Sequence, residues 1–219
     1  RALSAGKTVV TANKMALATR WNDIIGAAEK YGAGLYFEAS VCGAIPIIRA
    51  MSDSLQANRI ESVMGIINGT TNYILDAMHK NGASFADVLA EAQRLGYAEA
   101  DPAADIDGLD IQRKCVISAN VAFGVVLGEE DVPVFGIRSI SSCDIAAAES
   151  RERICKMLAF GEKSSRFTVS CYVEPCFVPS GELEAAVSTN RNVISFVTEL
   201  TGKERFYGRG AGRYPTAYN

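Results

Sequence analysis

Residues 1–45 contain two short β-branched runs separated by a segment with helical spacing. The runs "KTVVTANK" (7–14) and "GLYFEAS" (34–40) predict strands that end in polar turns. Between them, the apolar residues of "MALATRWNDIIGAAEKYG" recur about every 3.6 positions, which predicts one helix ending at Gly32. Strand, helix and strand in this order are typical of a parallel sheet of the nucleotide-binding type.

Beyond residue 45 the order of the predicted elements changes. Strands are predicted at 59–68, 135–141, 165–179 and 191–202. Helices are predicted within 41–55, after a loop, and at 73–82, 84–96, 108–124 and 143–161. The predicted fold class is therefore α/β at the start, followed by an α+β unit whose mixed or antiparallel sheet is covered by helices.

Composition narrows the class of protein. The chain has 219 residues, 22 Lys and Arg against 25 Asp and Glu, and a net charge of −3, which gives no electrostatic reason to bind nucleic acid or an anionic membrane. No apolar run reaches the roughly 20 residues that a membrane helix needs, and "RALSAGKTVV" does not have the form of a signal peptide. The chain begins with Arg instead of Met, and we expect a fragment.

The six cysteines form no C-x-x-C pair, and the only histidine is His79. This pattern disfavours a Cys/His zinc site and predicts reduced, buried thiols in a cytoplasmic protein.

The densest chemistry lies in "RLGYAEADPAADIDGLDIQRKC" (94–115). Asp110 and Lys114 are four residues apart on a predicted helix, so they project from one face, and Asp107 is expected to begin that helix. The pair has two interpretations: a surface ion pair, or a lysine that exchanges a proton in a closed cleft after burial has lowered its pKa. As a further alternative, Asp101, Asp105, Asp107 and Asp110 could hold a divalent cation, although their spacing does not match an EF-hand.

Other segments carry weaker indications. The "NGTTN" turn (68–72) could present backbone amides to an anion, and "GRGAG" (208–212) lets the backbone approach a flat or phosphorylated group. Lys14 follows a parallel strand, where ligands of open α/β sheets bind. The loop "FEASVCGAIP" (37–46) could point carbonyl groups at a monovalent cation.

Taken together, the runs "VVTANKMALA", "FEASVCGAIPIIRAM", "GIINGTTNYIL", "AQRLGYAEADPAADIDGLDIQRK" and "YGRGAGRYPTA" resemble homoserine dehydrogenase. The resemblance implies oxidation of L-homoserine to L-aspartate 4-semialdehyde with NAD(P)⁺, or the reverse reaction, in threonine and methionine biosynthesis. It also implies three domain assignments: 1–44 as the remnant of the dinucleotide-binding domain, 45–205 as the substrate-binding and dimerisation domain, and 206–219 as a segment returning to the cofactor domain.

The same resemblance assigns roles to individual residues. Lys114 matches the proton donor and acceptor, and Glu99 and Asp110 match the carboxylates that bind homoserine. Lys14, Gly96 and Gly212 match residues next to the cofactor. A sodium site is implied at the residues Glu38, Val41, Gly43 and Ile45.

The resemblance covers nearly the whole chain, yet the G-x-G-x-x-G turn that binds the dinucleotide is absent from it. We therefore expect poor NAD(P) binding and little activity from this chain alone. We also expect a homodimer, because the long β segments are apolar on both faces. Two alternatives remain: another two-domain semialdehyde oxidoreductase, whose acyl transfer would need a nucleophilic Cys, or a catalytically silent regulatory or assembly module.

Overall fold

A computed structural model describes residues 1–54, 57–165 and 168–219 of the chain. The predicted helix end at residue 55 and the part of the predicted strand at residues 166 and 167 lie outside this described part.

The strands form two sheets. They are β1 (Val9–Val10), β2 (Leu35–Tyr36), β3 (Ile60–Ile66), β4 (Arg153–Lys163), β5 (Val169–Pro179), β6 (Arg191–Thr198) and β7 (Gly202–Arg209). Strands β1 and β2 pair in parallel, which confirms the predicted strand–helix–strand unit. The others form a five-stranded sheet in the order β5-β4-β3-β6-β7, and each neighbouring pair is antiparallel.

The helices connect and cover these sheets. They are α1 (Lys14–Thr19), α2 (Trp21–Tyr31), α3 (Ile47–Ser54), α4 (Gly69–Asn81), α5 (Phe85–Arg94), α6 (Ala103–Ile106), α7 (Leu109–Phe123), α8 (Ser142–Glu149), α9 (Leu183–Ala186) and α10 (Arg213–Tyr218). Local sequence explains their starts: the side chains of Asn13, Asn68, Ser84 and Ser141 each accept a backbone N–H in the first turn. None of the helices in the described part of the chain is long and apolar enough to cross a membrane.

The main core lies between the five-stranded sheet and the helices. Helix α7 is its centre, since Ile111, Val116 and Ile117 are fully buried against the same cluster as Met157 and Val173. The opposite face of the sheet carries a smaller buried cluster that includes Leu158, Ala185 and Val193. The short helix α9 therefore packs over part of that outer face.

Several predicted elements are wrong in detail. The predicted helix 15–32 is divided at Arg20, which lies outside helical geometry at φ −133°. The predicted helix 143–161 stops at Glu149, and most of its second half is strand β4, because an apolar run such as "ICKMLAF" suits a buried strand as well as a helix. Residues 135–141 form no strand; a single parallel bridge joins Val134 to Val173.

Other differences concern two additional elements, one turn and the burial of two cysteines. Strand β7 and helix α10 lie where no element was predicted, and the "NGTTN" turn is part of α4 with Asn68 as its N-cap. All six thiols are free, as predicted, and Cys42, Cys115, Cys155 and Cys171 are buried. Cys143, however, is exposed, and Cys176 is only partly buried.

Candidate active site

One cleft with a volume of about 870 Å³ is lined by segments that are distant in sequence. Its walls come from the start of α1, the 39–43 loop, the N-terminal end of α4, the 96–110 region with α7, the start of β6 and the chain after β7. The cleft residues that the sequence analysis predicted are Lys14, Gly43, Gly96, Glu99, Asp110, Lys114 and Gly212. Glu38, Val41 and Ile45 are not among its lining residues.

Lys114 and Asp110 form a buried ion pair on one face of α7. Lys114 Nζ lies 2.7 Å from Asp110 Oδ2 and donates a second hydrogen bond to Ile67 O at 2.7 Å. The two residues are only 9% and 8% exposed. The surface ion-pair interpretation is therefore wrong, because α7 is enclosed by the sheet and by neighbouring helices.

Lys14 reaches the same carboxylate from α1. Its Nζ lies 3.1 Å from Asp110 Oδ1, and its side chain is 37% exposed. One carboxylate thus faces two ammonium groups, one enclosed and one open to the cleft.

Asn68 fixes this carboxylate relative to α4. Its Nδ2 donates to Asp110 Oδ2 at 2.9 Å and to Asp105 Oδ1 at 2.7 Å, while its Oδ1 accepts from Thr71 N at 2.8 Å. A single buried amide therefore caps α4 and orients two acids. The sequence predicts only a polar turn here. Its N-cap pattern is local, but the contacts of Asn68 with acids 37 and 42 residues away depend on the folded chain.

The electrostatics of the pair differ from the predicted behaviour. Burial opposes ionisation of Asp110, but Lys114, Lys14 and the Asn68 amide outweigh it and hold the pKa of Asp110 below its ordinary value. Burial likewise disfavours a charged Lys114, but the Asp110 charge outweighs burial and raises the pKa of Lys114. The expectation that burial lowers the pKa of Lys114 is therefore wrong, and the lysine is a stable cation in a nearly dry wall.

Glu99 also lines the cleft, in the exposed loop after α5. Gln93 Nε2 donates to the Glu99 carbonyl at 3.0 Å, and Thr70 Oγ1 donates to the neighbouring Tyr97 carbonyl at 2.9 Å. These bonds tie the loop to α5 and α4, and Glu99 and Asp110 line the same cleft.

Glycines leave much of the wall without side chains. Gly96 and Gly212 have φ values of +76° and +124°, where an L side chain is strained, and a Cβ at Gly96 would meet nothing within 4 Å. At Gly43 a Cβ would lie 2.6 Å from Gly210 O, so the backbone segments at 43 and 210 touch. Bare backbone around a deep cleft fits the flat ring of a nicotinamide group.

The candidate cation loop supplies the oxygen donors that a hard cation prefers. Several of these oxygens already accept hydrogen bonds. Glu38 accepts from Ile48 N at 2.8 Å and Arg49 N at 2.9 Å, and Gly43 O accepts from Asn219 Nδ2 at 2.8 Å. Ile45 O likewise accepts from Ile47 N at 2.8 Å, so the oxygens are of the type that a monovalent cation takes, but most of them are already engaged, and Glu38 caps α3.

The remaining acids are separated by their own partners. Asp107 does not begin α7; it ends α6 and pairs with Arg138, while the N-cap of α7 is Gly108. Asp101 accepts from Ala103 N at 3.1 Å. Within the described ranges, no group of three or more His, Cys, Asp or Glu residues is arranged to hold a metal ion.

Cys42 is the thiol that lines the cleft, and it is fully enclosed. Burial raises the pKa of its thiol to about 12, against a smaller opposing effect of Lys114. A protonated thiol is a poor nucleophile, so this cysteine does not suit acyl transfer.

Comparisons with known proteins agree on one family. A family model described as homoserine dehydrogenase matches residues 46–219. The chain is 47% identical to homoserine dehydrogenase of Corynebacterium glutamicum over 220 residues, which cover 99% of the chain and 49% of the relative. It is 44% identical to that of Mycobacterium tuberculosis, covering 99% of the chain and 50% of the relative.

Solved structures give the same result. A homoserine dehydrogenase from Thiobacillus denitrificans matches with a TM-score of 0.96 and 42% identity, covering 99% of this chain and 50% of that one. A hyperthermophilic archaeal homoserine dehydrogenase in complex with NADPH matches with a TM-score of 0.86 and 29% identity, covering 99% and 62%. The chain spans about half the length of the curated relatives it matches.

Proposed function

The chain belongs to the homoserine dehydrogenase family, and on that premise we propose that it supplies the substrate-binding half of an enzyme that interconverts L-homoserine and L-aspartate 4-semialdehyde with NAD(P). The observation that carries this proposal is the enclosed Lys114–Asp110 pair, which lines the same glycine-containing cleft as Glu99. The family match does not support the alternatives of another semialdehyde oxidoreductase or a catalytically silent module. The raised pKa of the Cys42 thiol also argues against acyl transfer.

In the reductive direction, Lys114 acts as the general acid. As the aldehyde carbon accepts a hydride, the C=O π electrons move to oxygen, and Lys114 Nζ donates the proton that completes the hydroxyl group. Asp110 keeps the lysine protonated before the step, and the neutral amine regains a proton from solvent afterwards. Such proton transfer typically contributes about 10²–10⁴-fold to the rate.

The two acids bind the amino end of the substrate. Glu99 and Asp110 hold the substrate ammonium, which orients C4 towards Lys114. In the oxidative direction, Lys114 must be neutral to accept the hydroxyl proton, so its raised pKa makes that direction favour alkaline pH.

A bound nicotinamide cofactor would supply or accept the hydride. The residues that would hold it are Lys14, Gly96 and Gly212, all of which line the cleft. The support is that both glycines line the cleft without a side chain and that the space at Gly96 is open, although Pro215 lies 3.2 Å from a Cβ placed at Gly212. The domain division belongs to the same proposal: 1–44 and 206–219 on the cofactor side, joined by hydrogen bonds from Ala44 N to Arg209 O and from Asn219 Nδ2 to Gly43 O, and 45–205 on the substrate side.

We also propose a sodium ion in the loop of Glu38, Val41, Gly43 and Ile45, where it would order the connection between the two sides. The support is the oxygen donor set. Replacing sodium by a bulky organic cation should lower thermal stability, and an unchanged melting temperature would remove this part of the proposal.

A homodimer is supported by the uncovered part of the sheet's outer face. Met64, Phe160 and Tyr172 are only partly buried there, Phe160 and Tyr172 stack at 5.1 Å, and Tyr207 is 58% exposed. Size-exclusion chromatography with light scattering tests this arrangement, and a monomer would contradict it.

We place the enzyme in the cytoplasm, in threonine and methionine biosynthesis.

The direct test uses the complete protein encoded by the gene that contains this sequence. We expect it to reduce NAD⁺ or NADP⁺ with L-homoserine and not with L-serine, whose hydroxyl group lies one carbon closer to the ammonium. Folded protein that gives no homoserine-dependent reduction with either cofactor would contradict the proposal.

A further inference from the structure

Lys156 is a second enclosed lysine, on β4, and the reaction described above does not use it. It is 0% exposed. Its Nζ donates to Val187 O at 2.6 Å and to Asn72 Oδ1 at 3.2 Å. Within the described residues, no carboxylate oxygen pairs with it, so this ammonium group is held by neutral oxygens alone.

The end of β3 explains where the lysine sits. The last pairing between β3 and β4 joins Gly65 to Ala159, and β3 ends at Ile66. Lys156 lies three positions before Ala159 on β4, alongside the start of α4. Its side chain reaches Val187, in the segment between α9 and β6.

Lys156 belongs to a group of three side chains, with Asn72 and Asp76 of α4, that we call the clamp. Asn72 Nδ2 donates to Val187 O at 3.2 Å and to Thr189 O at 2.9 Å. Asp76 Oδ2 accepts from Thr189 N at 3.1 Å. Thr189 has φ +60°, a conformation that a β-branched residue adopts only when its surroundings impose it.

The clamp holds residues 187–192, which we call the wall segment. Asn190, Arg191 and Asn192 line the cleft, and none of the three clamp residues does. Asn190 packs so closely on the first turn of α4 that a Cβ at Gly69 would lie 3.0 Å from Asn190 O. Asn192 is 1% exposed, and its Oδ1 has no hydrogen-bond partner among the described residues.

These contacts connect the clamp to the lining of the cleft through the backbone of the wall segment. The shorter hydrogen bonds from Lys156 and Asn72 to the wall segment end on carbonyl groups of Val187 and Thr189, which lie one to five residues before the side chains that line the cleft. Because the segment includes a strained residue, it would relax if those hydrogen bonds were removed.

We propose that Lys156 is a positioning residue for substrate binding: together with Asn72 it fixes the wall segment so that Asn190, Arg191 and Asn192 complete the cleft that Lys114 also lines. This inference rests on the proposed function, since it names an additional determinant of the same site. Methionine fills nearly the same volume as lysine but donates no hydrogen bond. Glutamine can donate to one of the two acceptors.

The chain also offers a matched control. Lys163 lies on the same strand, and its Nζ donates to Phe123 O at 2.8 Å, but it does not line the cleft. Lys163→Met therefore removes a comparable lysine–carbonyl bond at a position remote from the wall segment.

The experiment compares wild type, Lys156→Met, Lys156→Gln and Lys163→Met in the complete protein. We expect Lys156→Met to raise the KM for homoserine about tenfold while kcat changes less than about threefold, as when one or two hydrogen bonds no longer hold a binding wall. Lys156→Gln should give an intermediate KM, and Lys163→Met should match wild type. A purely structural lysine would instead lower the amount of folded enzyme, which reduces apparent kcat and leaves KM unchanged; that result would overturn the proposal.

Hydrogen exchange separates this inference from the proposed function. In Lys156→Met the amides of the wall segment should exchange faster than in Lys163→Met, while those of the β4–β5 pairing stay protected. Faster local exchange in a protein that does not turn over homoserine would reject the proposed function and retain the clamp. If Lys156→Met does not fold, Lys156→Gln decides, and a wild-type KM with wild-type exchange in that variant would overturn the inference.

Discussion

Replacing Lys114 by methionine should abolish most catalysis while leaving the protein folded. The side chain lies in a wall where its ammonium contacts Asp110 Oδ2 and Ile67 O, both at 2.7 Å. Methionine is close to lysine in volume, so it removes the charge and the proton without opening a large cavity. After the change, Asp110 keeps Lys14 at 3.1 Å and Asn68 at 2.9 Å.

These remaining contacts limit the loss of folding stability caused by the substitution. Breaking a buried ion pair costs about 3–5 kcal/mol when the remaining charge is left without compensation, and Asp110 retains a cation and a hydrogen-bond donor, so the loss of stability should lie below that range. The chemical step should lose about 10²–10⁴-fold in kcat, or ~2.7–5.5 kcal/mol in activation free energy. The KM for homoserine should change much less, because Glu99 and Asp110 remain.

The assay follows the absorbance of the reduced nicotinamide in both directions, with thermal unfolding recorded on the same samples. Lys163→Met is a suitable control, because Lys163 Nζ donates to Phe123 O at the end of the same helix at 2.8 Å but lies outside the cleft. A folded Lys114→Met protein with kcat within about threefold of wild type would refute the assignment of Lys114 as the general acid.

Three further predictions concern the rest of the cleft. Glu99→Gln should raise the KM for homoserine about 10-fold or more with a smaller change in kcat, because it removes a charge-assisted hydrogen bond to the substrate ammonium; an unchanged KM in steady-state kinetics would contradict this. Because the pKa of Asp110 lies below its ordinary value, its ionised form stabilises the fold above about pH 3.9, and this contribution is lost as the pH falls through the lowered pKa. Denaturant unfolding of Asp110→Asn should therefore show lower stability at neutral pH and a weaker decline in acid than wild type, and parallel profiles would argue against this linkage. Gly43→Ala should destabilise the protein by at least about 1–2 kcal/mol, since its φ is +49° and its Cβ would lie 2.6 Å from Gly210 O; a wild-type melting temperature would show that this backbone contact is dispensable.

The parts of the fold that could be predicted are those set by local sequence. The spacing of apolar residues located α5 and α7, and Ser84 with Asp87 marked the start of α5 correctly. The i,i+4 relation of Asp110 and Lys114 follows from helix geometry alone, so it could be read before any tertiary structure.

Other features depend on contacts distant in sequence. The run that forms β4 has no periodicity that distinguishes a buried strand from a helix, and its identity comes from pairing with β3 and β5 on either side. The sequence predicts Asp107 at the start of α7, but Asp107 ends the short helix α6 and pairs with Arg138. The roles of Asn68 and Lys156 likewise require partners that only the folded chain brings together.

The sign of the Lys114 pKa shift shows how such contacts change the chemistry. Burial alone predicts a lysine that loses its proton near neutral pH. Three donors around Asp110 keep that carboxylate ionised, and the ionised carboxylate keeps Lys114 charged. If Lys114 is the general acid, as we propose, its raised pKa should favour the reductive direction at neutral pH.

The same contacts leave Asp110 and Glu99 with different capacities to accept hydrogen bonds from a substrate ammonium group. An ionised carboxylate offers about four acceptor positions. On Asp110, Lys114 and Asn68 share Oδ2 and Lys14 approaches Oδ1, so little capacity remains for a substrate ammonium. The Glu99 carboxylate takes part in no hydrogen bond or ion pair with the described residues; Gln93 uses only its backbone carbonyl. On the proposed function we therefore expect Glu99 to contribute more than Asp110 to binding the substrate ammonium, while Asp110 also holds Lys114, so substitutions at 99 should act mainly on KM and substitutions at 110 on both KM and kcat.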